Sequence, residues 1–270
     1  MRSTTKKSSA TAQKSTIIGK VRFHRQFPSQ YLRYSRDIIV WLPPSYGIRS
    51  SKRFPVLYMQ DGQNLFDPAT SFAGVDWKVD ETATRLIRAR EIRELIVVGI
   101  YNTPDRLQEY SPSTTGLNYA KFITDELKPF IDKTYHTKPD RENTAAMGSS
   151  MGGLISFLLG WWRPDIFYQA ACLSSSFLWN KNAVLKGVAA YNGPKKDIRI
   201  YVDVGSEETM LFSCYEQMIA LLISKGYVEG DNLIHHVIDG AQHNEFSWGS
   251  RLAIPLQFLF GLPVKTKAEN

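Results

Sequence analysis

Residues 94–101 read ELIVVGIY, a glutamate followed by an unbroken apolar run. A strand with one wet face alternates apolar and polar side chains. One that does not alternate is covered on both faces, as in a parallel sheet with helices on either side. This run therefore asks for helices, and the chain supplies them. Strand-like runs at 36–43, 53–60, 143–147, 167–175, 197–205 and 232–239 are β-rich or apolar and mostly end at turn residues. Helical spacing marks 80–92, 117–135, 151–162, 211–226 and 245–261, and Pro129 is expected to bend the second of these. The expected fold class is α/β: a mostly parallel sheet with helices on both faces, opening with antiparallel strands because no helix separates the first runs.

Composition matters mainly through where the charge sits. The formal net charge is +7, but Arg2, Lys6, Lys7, Lys14 and Lys20 carry five of those charges with no acid among them. The remaining body is close to neutral, which excludes a folded basic groove for nucleic acid. Residues 1–16 read as a disordered basic tail without the apolar core of a secretory signal, 17–262 as one catalytic domain, and 263–270 as a C-terminal tail. The longest apolar run, LISFLLGWW at 154–162, is too short to span a bilayer. Cys172 and Cys214 lie in apolar segments and read as buried thiols, which suits a cytoplasmic protein.

Gly148-Ser149-Ser150-Met151-Gly152 matches G-x-S-x-G, between a short strand and an apolar helix. That is the setting of a nucleophile elbow, where the turn is so tight that side chains two before and two after the serine would collide. Only Ser150 has glycine at both places; Ser149 has Met147 and Met151. A base must follow. Of the five histidines only His243 lies in a loop after the last strand and before the last helix. The orienting acid belongs just past strand 197–205, where Asp203, Glu207 and Glu208 compete. Asp203 falls within the strand, and Glu208 is favoured over Glu207. The Met151 N–H at the helix start and the Gln63 N–H after Gly62 are the expected oxyanion donors.

No dinucleotide, phosphate-loop, H-E-x-x-H or C-x-x-C pattern is present, so no metal and no organic cofactor is expected. About twenty residues separate CLSSS from DIRIYV, too few for a cap domain, so the cleft should be open. Loop aromatics are expected to rim it: Phe66, Trp77, Tyr110, Phe177, Trp179 and Trp248. Asp61, Gly62, Asn64 and Arg106 are expected beside substrate, and Arg106 is expected to pair with Glu109.

The segments DGQNLFD, DWKVDE, NTPDRLQEYSPS, GSSMGGLISF, YVDVGSEE and GAQHNEFSW together resemble the putative-esterase branch of the α/β-hydrolases. That branch includes siderophore (enterochelin-type) esterases, S-formylglutathione hydrolases, and the feruloyl and acetylxylan esterases of carbohydrate esterase family 1. The resemblance covers about residues 17 to 262. It implies an α/β-hydrolase fold and a carboxylic-ester hydrolase with Ser150 as nucleophile and His243 as base; the family's acid maps best to Glu208. The expected partner is a small-molecule ester, with no nucleic acid and no membrane; a homo-oligomer stays open. Two other classes are weighed: an acyltransferase using the same acyl-enzyme, and a non-catalytic binding protein that keeps the fold.

Overall fold

The computed structural model describes residues 15–49 and 51–262. All but the last two residues of the expected N-terminal tail, and all of the C-terminal one, lie outside the described residues. In chain order the elements are β1 (Lys20–Phe27), β2 (Arg36–Leu42), β3 (Val56–Gln60), α1 (Val79–Arg88), β4 (Ile96–Ile100), α2 (Arg106–Glu109), α3 (Thr114–Lys121) and α4 (Lys128–Thr134). They continue with β5 (Thr144–Ser149), α5 (Met151–Trp162), β6 (Gln169–Leu173), α6 (Trp179–Ala190), β7 (Arg199–Gly205), α7 (Thr209–Ser224), β8 (Leu233–Ile238), α8 (Glu245–Ser250) and α9 (Ala253–Phe260).

The strands form one sheet in the order β1-β2-β4-β3-β5-β6-β7-β8. β1 pairs antiparallel with β2 and β2 antiparallel with β4, and every later pairing is parallel. The mostly parallel, doubly covered sheet expected from the apolar runs is what forms. Alternation along each strand sends side chains to opposite faces. Tyr58, Val98, Ala146 and Val202 join the core on one face, with Ile155 and Phe157 of α5. Leu57, Val97, Met147 and Tyr201 join the other, with Leu252 and Leu256 near the C-terminus. Among the described residues no helix is long and apolar enough to cross a membrane.

Three local outcomes differ from the sequence reading. β1 and α6 were not foreseen. β1 is an edge strand whose KVRFHRQF is largely exposed, so it lacks the apolar signature used to find strands. The bend expected at Pro129 takes another form: Phe122–Leu127 is a π-helical stretch, and the Lys128 N–H donates five residues back to Ile123 O. Pro129 has no N–H and its ring crowds the carbonyl of the preceding turn, so the helix widens there. The single helix expected over 245–261 splits, with Arg251 and Leu252 between α8 and α9. That break turns Arg251 inward, to 4% exposure. Between β6 and β7 only α6 and its loops intervene, so no large cap covers the strand ends.

Candidate active site

Ser150 sits between β5 and α5 with φ 56° and ψ −123°, a backbone state that L-residues rarely adopt. Its N–H donates to Leu173 O (3.0 Å) and its carbonyl accepts from Ser176 N–H (3.0 Å), which ties the turn to the end of β6. The glycines behave unequally. A Cβ on Gly148 would lie 2.6 Å from Gly152 O, so the strand and helix backbones touch there. One on Gly152 would meet Gln60 and Asp61 side-chain atoms at 3.1 Å, a tighter fit than usual rather than a collision. Gly153, not singled out in the sequence, is the more crowded: its Cβ would meet Ser175 Oγ at 2.3 Å.

Ser150 Oγ lies 2.9 Å from His243 Nε2, and His243 Nδ1 lies 2.7 Å from Glu208 Oε1. His243 comes from the loop between β8 and α8, Glu208 from the start of α7, and Ser150 from the elbow. Thus three segments far apart in sequence meet at the C-terminal ends of the parallel strands. Trp248 packs edge-on against the His243 ring, centroids 4.9 Å apart. Burial alone would push the Glu208 carboxyl up. Hydrogen bonds from His243, from the Gly205 N–H and from the Ser174 hydroxyl outweigh burial and hold it below its usual value.

The other two acids are placed elsewhere. Glu207 is exposed. Asp203 is buried and grips Arg251 with both oxygens: Nε donates to Oδ2 (3.0 Å) and Nη2 to Oδ1 (2.9 Å). Tyr201 OH and the Ser174 N–H also donate to it. Asp203 is the countercharge of a buried arginine, which is why it leaves His243 to Glu208.

The Met151 N–H opens α5, where the first helical N–H groups have no intrahelical acceptor. Gln63 lies in a single 3-10 turn after Asp61, whose φ is 55°. A Cβ on Gly62 would lie 2.6 Å from Gly99 C, so only glycine lets this turn press against β4. Neither the Met151 nor the Gln63 N–H is spent on a backbone acceptor among the described residues.

A cleft of about 430 Å³ opens over Ser150 and His243. Of the residues expected beside substrate, Asp61, Asn64, Trp77, Arg106 and Trp248 line it, with Gln63. Four expected substrate neighbours do not. Gly62 packs on the β4 backbone, Phe66 and Tyr110 are buried at 1% and 0% exposure, and Trp179, the first residue of α6, packs against the core. Phe177 is buried too, edge-on against Phe157. Aromatics in loops look alike in sequence; these loops fold back onto the core and take the rings with them. Phe72, Asn102, Glu245 and Ser149 line the cleft without having been foreseen. Ser176 was missed as well, and its hydroxyl lies 3.2 Å from Ser150 Oγ. The expected Arg106–Glu109 pair is corrected: Arg106 donates to both oxygens of Asp61 (2.7 and 2.8 Å), while Glu109 pairs with the buried Arg36.

Among the described residues, Asp76, Asp80 and Glu81 form a carboxylate cluster, with one oxygen from each within 4.8 Å of the others. Burial and, after it, the neighbouring Glu81 push the Asp80 carboxyl up to about 8 from its usual 3.8. Folded protein then binds more protons than unfolded protein between those limits. This contribution to stability is full at low pH and is lost as pH rises through about 8. Melting curves from about pH 4 to 8 should show the Tm of wild type falling relative to that of Asp80→Asn, with the difference levelling off above about pH 8. A difference that stays constant across that window would contradict the assignment.

Comparison with known proteins speaks to family and fold. The family described as "Putative esterase" matches residues 29–256. The "Uncharacterized protein YbbA" of Bacillus subtilis is 25% identical over 254 residues, covering 86% of this chain and 96% of that one. An endo-1,4-beta-xylanase/feruloyl esterase of Xylanibacter ruminicola is 29% identical over 225 residues, 82% of this chain but 29% of that one. Among solved structures, a ferulic acid esterase superposes with TM-score 0.73 at 24% identity, covering 89% of this chain and 98% of that one. The enterobactin esterase FES from Shigella flexneri superposes with TM-score 0.74 at 20% identity, covering 92% and 60% respectively. At such identities these two structures speak for the fold. The chain spans under a third of the xylanase/feruloyl esterase and about three fifths of the enterobactin esterase.

Proposed function

The chain belongs to the putative esterase family and is a carboxylesterase-type hydrolase, and on that premise we propose that it cleaves esters through an acyl-enzyme on Ser150. The single observation that carries the proposal is the unbroken chain Ser150 Oγ–His243–Glu208, with links of 2.9 and 2.7 Å. In this reading His243 Nε2 takes the Ser150 proton as Oγ attacks the ester carbonyl, and then returns it to the leaving alcohol. Glu208 keeps the Nδ1 proton in place and stabilises the imidazolium that forms. The Met151 and Gln63 N–H groups receive the oxyanion. Water attacks the acyl-enzyme in the same way and frees the acid.

The substrate class is a small ester with a short or flat aromatic acyl group. The outstanding Phe72, 91% exposed, gives the cleft an apolar surface for a ring, while Trp77 and Trp248, 3% and 5% exposed, show only their edges at its wall. Asp61, Asn64, Asn102 and Arg106 supply polar contacts for its substituents. A cytoplasmic location belongs to the same proposal, supported by two buried cysteines that remain free thiols.

A panel of p-nitrophenyl acetate and butyrate, methyl ferulate, acetylated xylan, S-formylglutathione and a siderophore trilactone tests this. The expected result is turnover of the nitrophenyl esters and of methyl ferulate, with free acid as product. Failure on every ester would overturn the proposal. Product appearing on an added alcohol instead of as free acid would replace it with acyl transfer.

A further inference from the structure

Ser174 follows β6, is fully buried, and holds φ 43°, one of the few non-glycine residues in the left-handed region. Its backbone N–H donates to both Asp203 O (3.0 Å) and Asp203 Oδ1 (3.1 Å), which pins the residue against β7. Its hydroxyl oxygen has three polar neighbours: Trp248 Nε1 at 2.9 Å, Arg251 Nη2 at 2.7 Å and Glu208 Oε2 at 2.8 Å. A hydroxyl has one proton and two lone pairs. An indole N–H and a guanidinium can only donate, so together they fill both lone pairs. The proton then has one direction left, toward Glu208 Oε2.

We propose that Ser174 is the positioning residue of this site, its hydroxyl locked as a donor to Glu208 by Arg251 and Trp248 and thereby fixing the carboxylate that orients His243. The proposal rests on the triad reading above and deepens it. Oε2 also receives the Gly205 N–H, while Oε1 receives His243 Nδ1. With its proton on Nδ1, His243 is a donor like the other neighbours, so a protonated Glu208 would find an acceptor for its own proton only if His243 moved its proton to Nε2. The serine also sets a distance. Arg251 keeps its two-pronged contact with Asp203 and reaches Glu208 only through the hydroxyl. A direct arginine–Glu208 pair would draw off the negative charge that the imidazolium needs. The titratable and charged groups about Glu208 are accordingly His243 from the loop after β8, Arg251 from the break between α8 and α9, and Asp203 of β7 behind Ser174; Glu207 points to solvent.

Kinetics of full-length Ser174→Ala and Ser174→Thr test this. Losing a hydrogen bond to a charged group should lower kcat of the alanine variant roughly 10- to 100-fold with KM nearly unchanged. The acid limb of its kcat/KM profile should steepen, as Glu208, no longer held down by the Ser174 hydroxyl, begins to take a proton. Threonine keeps the hydroxyl and should restore most of kcat and the wild-type limb. Wild-type kcat and acid limb in Ser174→Ala, or a folded threonine variant no better than alanine, overturns the proposal. If alanine at this strained position does not fold, the downfield Nδ1 proton resonance of His243 carries the test. It should hold its place in Ser174→Thr and shift in Ser174→Cys, whose thiol donates weakly; an unmoved resonance in the cysteine variant overturns the proposal. An inactive Ser150→Ala beside an unaffected Ser174→Ala would refute the Ser174 role alone, whereas an active Ser150→Ala would refute the triad reading beneath it.

Discussion

Ser150→Ala should reduce hydrolysis of p-nitrophenyl butyrate by roughly 10³-fold or more, while the melting temperature stays near wild type. The serine contributes one hydroxyl at the mouth of the cleft and little to packing, so its loss leaves the elbow standing. Gly148 against Gly152 O, and Gly153 against Ser175, hold that turn whatever side chain sits between them. A residual rate above water is expected because the Met151 and Gln63 N–H groups would remain. Ser149→Ala is the matched control. Ser149 lies at the end of β5 and lines the cleft, but His243 reaches Ser150 and not Ser149. Near-native activity in Ser150→Ala, or its loss in Ser149→Ala alone, would contradict the mechanism.

The second large effect separates two carboxylates five residues apart. Glu208→Gln should fold close to wild type and lose roughly 10³- to 10⁴-fold in kcat, since an amide cannot hold the imidazolium and invites the wrong histidine tautomer. Asp203→Asn should do the opposite in kind. It leaves the Arg251 guanidinium buried without its countercharge, which costs about 3–5 kcal/mol and lowers Tm by about 10 °C for a domain of this size. Any loss of activity there should follow loss of fold. A Glu208→Gln enzyme that works, beside a stable but dead Asp203→Asn, would reverse the assignment.

Much of this was legible because it is local. The elbow needs only five consecutive residues between a strand and an apolar helix, and His243 stands out by its place after the last strand. The choice among Asp203, Glu207 and Glu208 was only partly legible. It turns on Arg251, which lies 48 residues beyond Asp203 and reaches it only because the last helix breaks. EFSWGSRLAIPLQFLF holds Gly249 and Pro255, which favour a break with a fresh helix start, but its apolar spacing runs on across them and hides it. The cleft lining was legible least. Phe66, Tyr110, Phe177 and Trp179 look no different in sequence from Trp77 and Trp248, and which rings reach the cleft depends on how each loop or helix start packs back. Arg106 shows the same limit. Glu109 is three residues away on one short helix, but the Asp61 turn brings a carboxylate that both Nε and Nη2 can reach. Ser174 carries no signature in CLSSS; its role comes from three partners on α7, in α8 and after α8.

The most direct test is to label the native protein with a fluorophosphonate probe and map the adduct by peptide mass spectrometry. A single adduct on Ser150, formed with loss of esterase activity and absent from His243→Ala, is the predicted result. An adduct on Ser149, Ser174 or Ser176, or full hydrolysis by protein whose Ser150 is labelled, would contradict it.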